Sequence, residues 1–151
     1  MSKNLEWWFS YEPVSDEDIV AIEFVLNVKF PSDYVECAKK NHGGSPSHQV
    51  YDFVGRKEAV FNNLLSLDFG KNNGILNVYN NVKDRLVNGI YPFAEDPFGN
   101  LICFDYRNND DIPKVVFWDH ELSHENPENL GKAITPICNT FSELLAGLRL
   151  E

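Results

Sequence analysis

The sequence predicts an α+β domain: helices first, then mostly antiparallel strands, then a closing helix. Three observations lead there. Helical periodicity is strong near both ends of the chain. Between them lie three strand-like runs, "IYPFAED", "NLICFDY" and "KVVFWDH", joined by the turn and loop chemistry of "PFGN" and "RNNDDIP" rather than by crossover helices. The 151 residues show no linker, repeat or break in composition, so residues 1–151 read as one domain.

Taken in order, "SDEDIVAIEFVLNV" (15–28) starts with Ser15 as a cap and Asp18 three residues on. Ile19, Ile22, Val25 and Leu26 then fall on one face. "KFPSDYVECAKKNHGG" predicts a second, short helix. Pro31 stands at its start, Tyr34, Cys37 and Ala38 form an inward stripe, and Gly43 and Gly44 stop it. "SHQVYDFVGRKEAVFNNLLSLDF" holds one or two strands, and "GKNNG" is a turn. "ILNVYNNVKDRL" sets Ile75, Val78, Tyr79, Val82 and Leu86 at helical spacing. In "NLICFDY" both faces are apolar, so this strand is interior. Thr140 and Glu143 form a capping box ahead of Phe141, Leu144, Leu145 and Leu148.

With 43% hydrophobic residues, 11 Phe, 6 Tyr and 3 Trp, the chain can build a real core. It has neither a signal-peptide apolar segment nor an 18-residue apolar stretch, so it reads as a cytoplasmic protein with no membrane partner. Cys37, Cys103 and Cys138 are odd in number and lack a CxxC pair, which reads as three reduced thiols. The net charge of −10 excludes nucleic acid as a partner, because affinity for phosphates comes from Lys and Arg. It favours a basic protein instead. The acidity is concentrated in 95–128, where nine carboxylates face only Arg107 and Lys114.

That stretch ends in "WDHELSHE", which suits three chemistries. His120 and His124 are spaced as helical zinc ligands would be. However, His120 ends a strand and "ELS" argues against a helix, so two surface histidines on a solvated loop explain it better. Asp105 and Asp119, on neighbouring strands, are the residue types of an acid–base pair, but no nucleophile, base and orienting group accompany them. No phosphate cradle or GxSxG elbow exists, and "HGGSP" is read as a helix stop. No cofactor or metal is expected. Trp7 and Trp8 leave two readings open: an exposed binding hot spot, or an N-terminal segment tucked on the core.

The blocks "I..IE..L...FP.DY.E..K..HGG", "LLSLDFG…IL", "G.YPFAED.FGN.ICFDYR", "KVVFWDHE" and "TFSELL" occur in that order over about 19–148. Together they resemble the SUKH superfamily, which includes the fungal cell-wall-synthesis regulator and many small bacterial proteins. Two departures stand out. Phe98-Gly99 replaces the glycine pair that usually precedes the family's Gly-Asn step, and the helix after "LLSLDF" is rich in Asn. The resemblance implies a curved, largely antiparallel sheet packed by helices, and a non-enzymatic role. It also implies a bacterial immunity protein that binds and blocks a cognate polymorphic toxin, often a nuclease, in the producing cell. The alternative is a regulatory scaffold like the fungal relative. A nuclease is basic for its own reasons, so an acidic inhibitor suits it. On this reading Asp105, Tyr106, Asp110, Asp111, Asp119, Glu121 and Glu125 form an acidic rim that meets the toxin domain. Gly44, Gly99, Asn100 and Trp118 are the structural anchors. The protein is then a monomer or a weak homodimer, since an exposed strand edge can pair two copies.

Overall fold

Ser15 opens α1, Asp16–Leu26, in the computed structural model, which describes residues 4–108 and 111–151. The Ser15 hydroxyl accepts from the Asp18 N–H (3.1 Å) and the Asp18 carboxylate from the Ser15 N–H (3.0 Å), closing the capping box in both directions. Ile19, Ile22 and Leu26 are buried. Val25, which the periodicity grouped with them, is 61% exposed. It lies about 60° around the helix from Ile22 and about 100° from Leu26, at the edge of that stripe, and faces outward.

Pro31 presets the backbone for α2, Ser32–Asn41. Tyr34 and Ala38 are fully buried, whereas Cys37 is only partly so. The helix stops at His42, and Gly43 follows in the left-handed region (φ 78°), where a Cβ would run into the Tyr11 ring. Gly44 is as tightly placed, against Ser10 and the Asn41 carbonyl.

The short β1, Trp7–Trp8, pairs with β2, Ser45–Pro46. The stretch read as one or two strands contains a hairpin of β3, Val50–Phe53, and β4, Arg56–Val60, followed by the short β5, Asn63–Leu64. α3, Ile75–Val82, runs into a tight turn at Lys83–Arg85. Then come β6, Ile90–Glu95, β7, Leu101–Asp105, and β8, Lys114–Trp118. α4, His120–Glu125, precedes β9, Ile134–Cys138, which the sequence reading did not foresee, and α5, Phe141–Ala146, ends the domain. At α5 the Thr140 hydroxyl accepts from Glu143 N–H (3.0 Å). The Glu143 carboxylate reaches Asn139 N–H rather than that of Thr140.

Strands β5 to β9 form one open antiparallel sheet in sequence order, so the fold is α+β. Its register shifts at Pro92–Ala94 and again beside Val115–Val116, irregularities that bend the strands. Interior strand β7 is apolar on both faces. Ile102 and Phe104 join the main core with α1, α2 and α5, while Leu101 and Cys103 join Val116, Trp118, Val82 and Leu86 on the other side. In the main core the Tyr34 ring meets Phe30, Phe93, Phe104 and Phe141 edge-on, at centroid distances of 5.2 to 5.6 Å. Among the described residues no helix is long and apolar enough to cross a membrane.

Candidate functional site at the acidic end of the sheet

The antiparallel register decides which acids can act together. Leu101 pairs with Trp118, and Asp105 with Lys114. Asp119, one step past Trp118 and five residues beyond Lys114, therefore lies at the opposite end of the sheet from Asp105, roughly 17 Å away at strand spacing. The two cannot form an acid–base pair. The same register splits the expected rim. Asp119, Glu121 and Glu125 stand at one end, and Asp105, Tyr106 and Asp111 at the other. Asp110 lies outside the described residues.

At the first end the sequence builds a rigid corner. Asp96 is buried and accepts from the backbone N–H groups of Phe98 and Asn100 (both 2.8 Å) and from Asn100 Nδ2 (2.8 Å). This closes the turn after β6. Gly99 takes φ +90°, and its missing side chain leaves room for the His120 ring, 3.3 Å from where a Cβ would sit. Asn100 Oδ1 accepts from His120 N–H (3.0 Å), tying the turn to the first residue of α4.

His120 and His124 do sit on a helix, contrary to the reading of "ELS" as a loop. The cause is Asp119. Its carboxylate accepts from the Glu121 and Leu122 N–H groups (2.9 and 3.1 Å) and so caps a helix start directly at the strand's end. Ser123 is buried and bonds the His120 carbonyl (2.8 Å). Among the described residues, no group of three or more His, Cys, Asp or Glu is arranged to hold a metal ion.

Glu121 and Glu125 are exposed and four apart on α4, one above the other. A like-charged pair at this spacing costs a short helix a few tenths of a kcal/mol. Near Glu121, Phe98 is 68% exposed, and a shallow depression is lined by Arg56, Phe98, Asn100, Asp119, His120 and Glu121. Arg56 arrives from β4. Its guanidinium lies over Phe117 (4.7 Å) and 3.8 Å from the Asp119 carboxylate. The sequence reading missed both Phe98 and Arg56. Phe98 could have been found as an apolar residue at the tip of a tight turn. Arg56 carried no signal, because only the fold brings it to Asp119. Behind the corner Trp118 is buried, with Arg85 over its ring (5.5 Å).

The second end is more self-contained. Arg107 binds the Asp105 carboxylate through Nε (3.0 Å) and Nη2 (2.9 Å), and its backbone N–H adds a third bond (2.9 Å). Burial pushes the Asp105 carboxyl upward, but the Arg107 contacts outweigh it and hold the group below the ordinary Asp value. Tyr106 packs on Tyr91 and donates its hydroxyl to the Lys29 carbonyl (2.8 Å). Burial raises its pKa. Both side chains thus have internal partners, whereas Asp111 is exposed.

The remaining candidates are structural in their contacts. His42, in "HGG", is fully buried: Nε2 meets the Glu12 carbonyl (2.7 Å) and Nδ1 accepts from Leu67 N–H (3.0 Å). Trp7 packs edge-on against Phe61, while Trp8 is 49% exposed. Burial is the first cause that raises the pKa of all three thiols, to about 11 for Cys37 and Cys138 and well upward for Cys103.

Comparison with known proteins agrees with this architecture. The family described as SMI1 / KNR4 family (SUKH-1) matches residues 13–147. The chain is also similar to the SPbeta prophage-derived uncharacterized protein YokK of Bacillus subtilis (strain 168). The two are 28% identical over 154 aligned residues, covering 89% of this chain and 74% of that protein. The matched region spans both helices of the N-terminal half, the whole five-stranded sheet and the corner at α4, and so the chain belongs to the SMI1/KNR4 family, SUKH-1.

Proposed function

We propose that this protein is an immunity protein that binds a cognate toxin domain and blocks it in the cytoplasm of the producing cell. Its family fits such a role, and the partner is then a protein rather than a small substrate. The observation that carries the reading to a surface is the pair Glu121 and Glu125. They are exposed and free of ion pairs among the described residues, and Glu121 lines the same depression as exposed Phe98, on a chain of net charge −10. Carboxylates with no internal partner at a helix end cost the fold a little and speed the encounter with a basic partner. Phe98 supplies an apolar anchor among them. Asp119 contributes to the same end while capping α4. Asp105, Tyr106 and Asp111 belong to a second contact region at the far end of the sheet, and Asp110, outside the described residues, is kept as a contact on the sequence alone. A toxin acting on nucleic acid is basic by necessity, which matches this charge.

The test is co-expression with the toxin-like domain encoded beside the gene, then isothermal titration of the purified pair. Rescue of growth with 1:1 binding is expected. Glu121→Lys with Glu125→Lys should slow association, most strongly at low salt. An unchanged association rate would remove the α4 end from the interface. Absence of both rescue and binding would overturn the immunity reading in favour of a regulatory scaffold.

A further inference from the structure

Helix α1 is apolar on two opposite sides. Ile19, Ile22 and Leu26 face the core, as a surface helix requires. Yet Val20 is 60% exposed, Phe24 85% and Val25 61%. At about 100° per residue, Phe24 points some 200° around the axis from Ile22 and Leu26, straight outward. Val20 and Phe24 are four apart and form one ridge. Single exposed apolar residues are ordinary, but three within two turns of one helix make a patch, and patches mark interfaces.

Charge decides what can cover this ridge. All four charged residues of α1 are acidic: Asp16, Glu17, Asp18 and Glu23. Asp16 pairs with Lys39, Asp18 closes the cap, and Glu23 accepts from Phe30 N–H (2.7 Å). Glu17 stands nearly in line with Phe24, seven residues before it. A second copy of the chain would bring the same acids to the same place and carry another −10. An anionic lipid surface would be repelled in the same way, since membrane-surface helices carry Lys and Arg on their polar side. A convex ridge of apolar side chains fits the groove of another helix.

We infer that the outer face of α1 docks a basic, amphipathic helix of a partner protein. Val20 and Phe24 enter its apolar stripe with Val25 at the flank, and Glu17 faces its cations. This face is separate from the α4 corner, and the inference does not depend on the toxin reading.

Two synthetic amphipathic helices with the same leucine pattern test it, one carrying Lys on its polar side and the other Glu. Each is titrated into the isotope-labelled full-length protein while backbone amide resonances are followed. The Lys peptide should bind with shifts centred on residues 17–27, and the Glu peptide should not bind. Val20→Ser with Phe24→Ser should weaken the Lys peptide about tenfold or more. Glu17→Lys, which leaves the apolar ridge intact, should weaken it through charge alone. The inference is overturned if the Lys peptide fails to bind, if it shifts only the α4 end, or if both peptides bind alike. It is also overturned if the α1 resonances move with protein concentration alone, which would mean that a second copy covers the ridge.

Discussion

Asn100 joins the Asp96 turn to α4, and removing its side chain should loosen the whole acidic corner. Asn100→Ala deletes the bond from Nδ2 to Asp96 Oδ2 (2.8 Å) and the acceptor for His120 N–H (3.0 Å). The first is a hydrogen bond to a buried carboxylate, of a kind that contributes about 1.5–3 kcal/mol. The second leaves a helix-start N–H at a half-exposed position, where water replaces part of the loss, for about 1 kcal/mol more. The backbone bonds from Phe98 and Asn100 to Asp96 Oδ1 survive, so the turn itself persists. The expected total is about 3 kcal/mol, which for a domain of this size lowers the melting temperature by roughly 6–12 °C. Thermal and urea denaturation should show a lower midpoint with an unchanged m-value, because the surface exposed on unfolding is the same. Amide exchange at Ser123 and Asn126, whose N–H groups bond the Asp119 and Leu122 carbonyls, should accelerate more than exchange in β7. Asn100→Ala and Asp96→Asn should also be coupled, since they remove the two ends of one bond. A loss below about 1 kcal/mol, or strict additivity of the two substitutions, would refute the view that Asn100 holds α4 in place.

Three further outcomes follow from the same contacts. Among the described residues the buried Tyr34 hydroxyl has no hydrogen-bond partner, so Tyr34→Phe should raise stability by about 1 kcal/mol in urea denaturation; a loss would reveal a partner for that hydroxyl. Removing Arg107 should let burial dominate at Asp105: in Arg107→Ala its carboxyl, followed by carbon NMR, should titrate higher than in the native protein, and an unmoved midpoint would contradict the pairing. Because the native group lies below its unfolded value, its stabilisation is complete above the unfolded pKa and is lost as pH falls through the depressed native one, so the variant's acid limb should be shallower. The three thiols should react slowly with a disulfide reagent at pH 8 in the folded protein and promptly in denaturant, since burial keeps them protonated; fast reaction of any one in the native state would contradict its placement.

Local chemistry determined much of this protein directly. The Ser15–Asp18 box, the Gly43 stop and the two-faced apolar pattern of Leu101–Phe104 each concern residues a few positions apart, and each has the place its spacing implies. The family, too, was legible as five blocks in order. What the chain could not state alone was which distant residues meet. The register of β7 against β8 sends Asp105 and Asp119 to opposite ends of the sheet, so an acidic stretch that is continuous in sequence is divided in space. Arg56 reaches Asp119 across a separate hairpin, and Asn100 reaches His120 across the sheet's end. Strand β9 has a proline near its centre and modest burial, which gives it little periodicity to read; its pairing with β8 is what makes it a strand. Helix α4 is too short to show a period at all, and exists because Asp119 caps it and Asn100 anchors its first N–H. Secondary structure here follows from neighbours in sequence. The surface offered to a partner follows from strand register, which only tertiary packing sets.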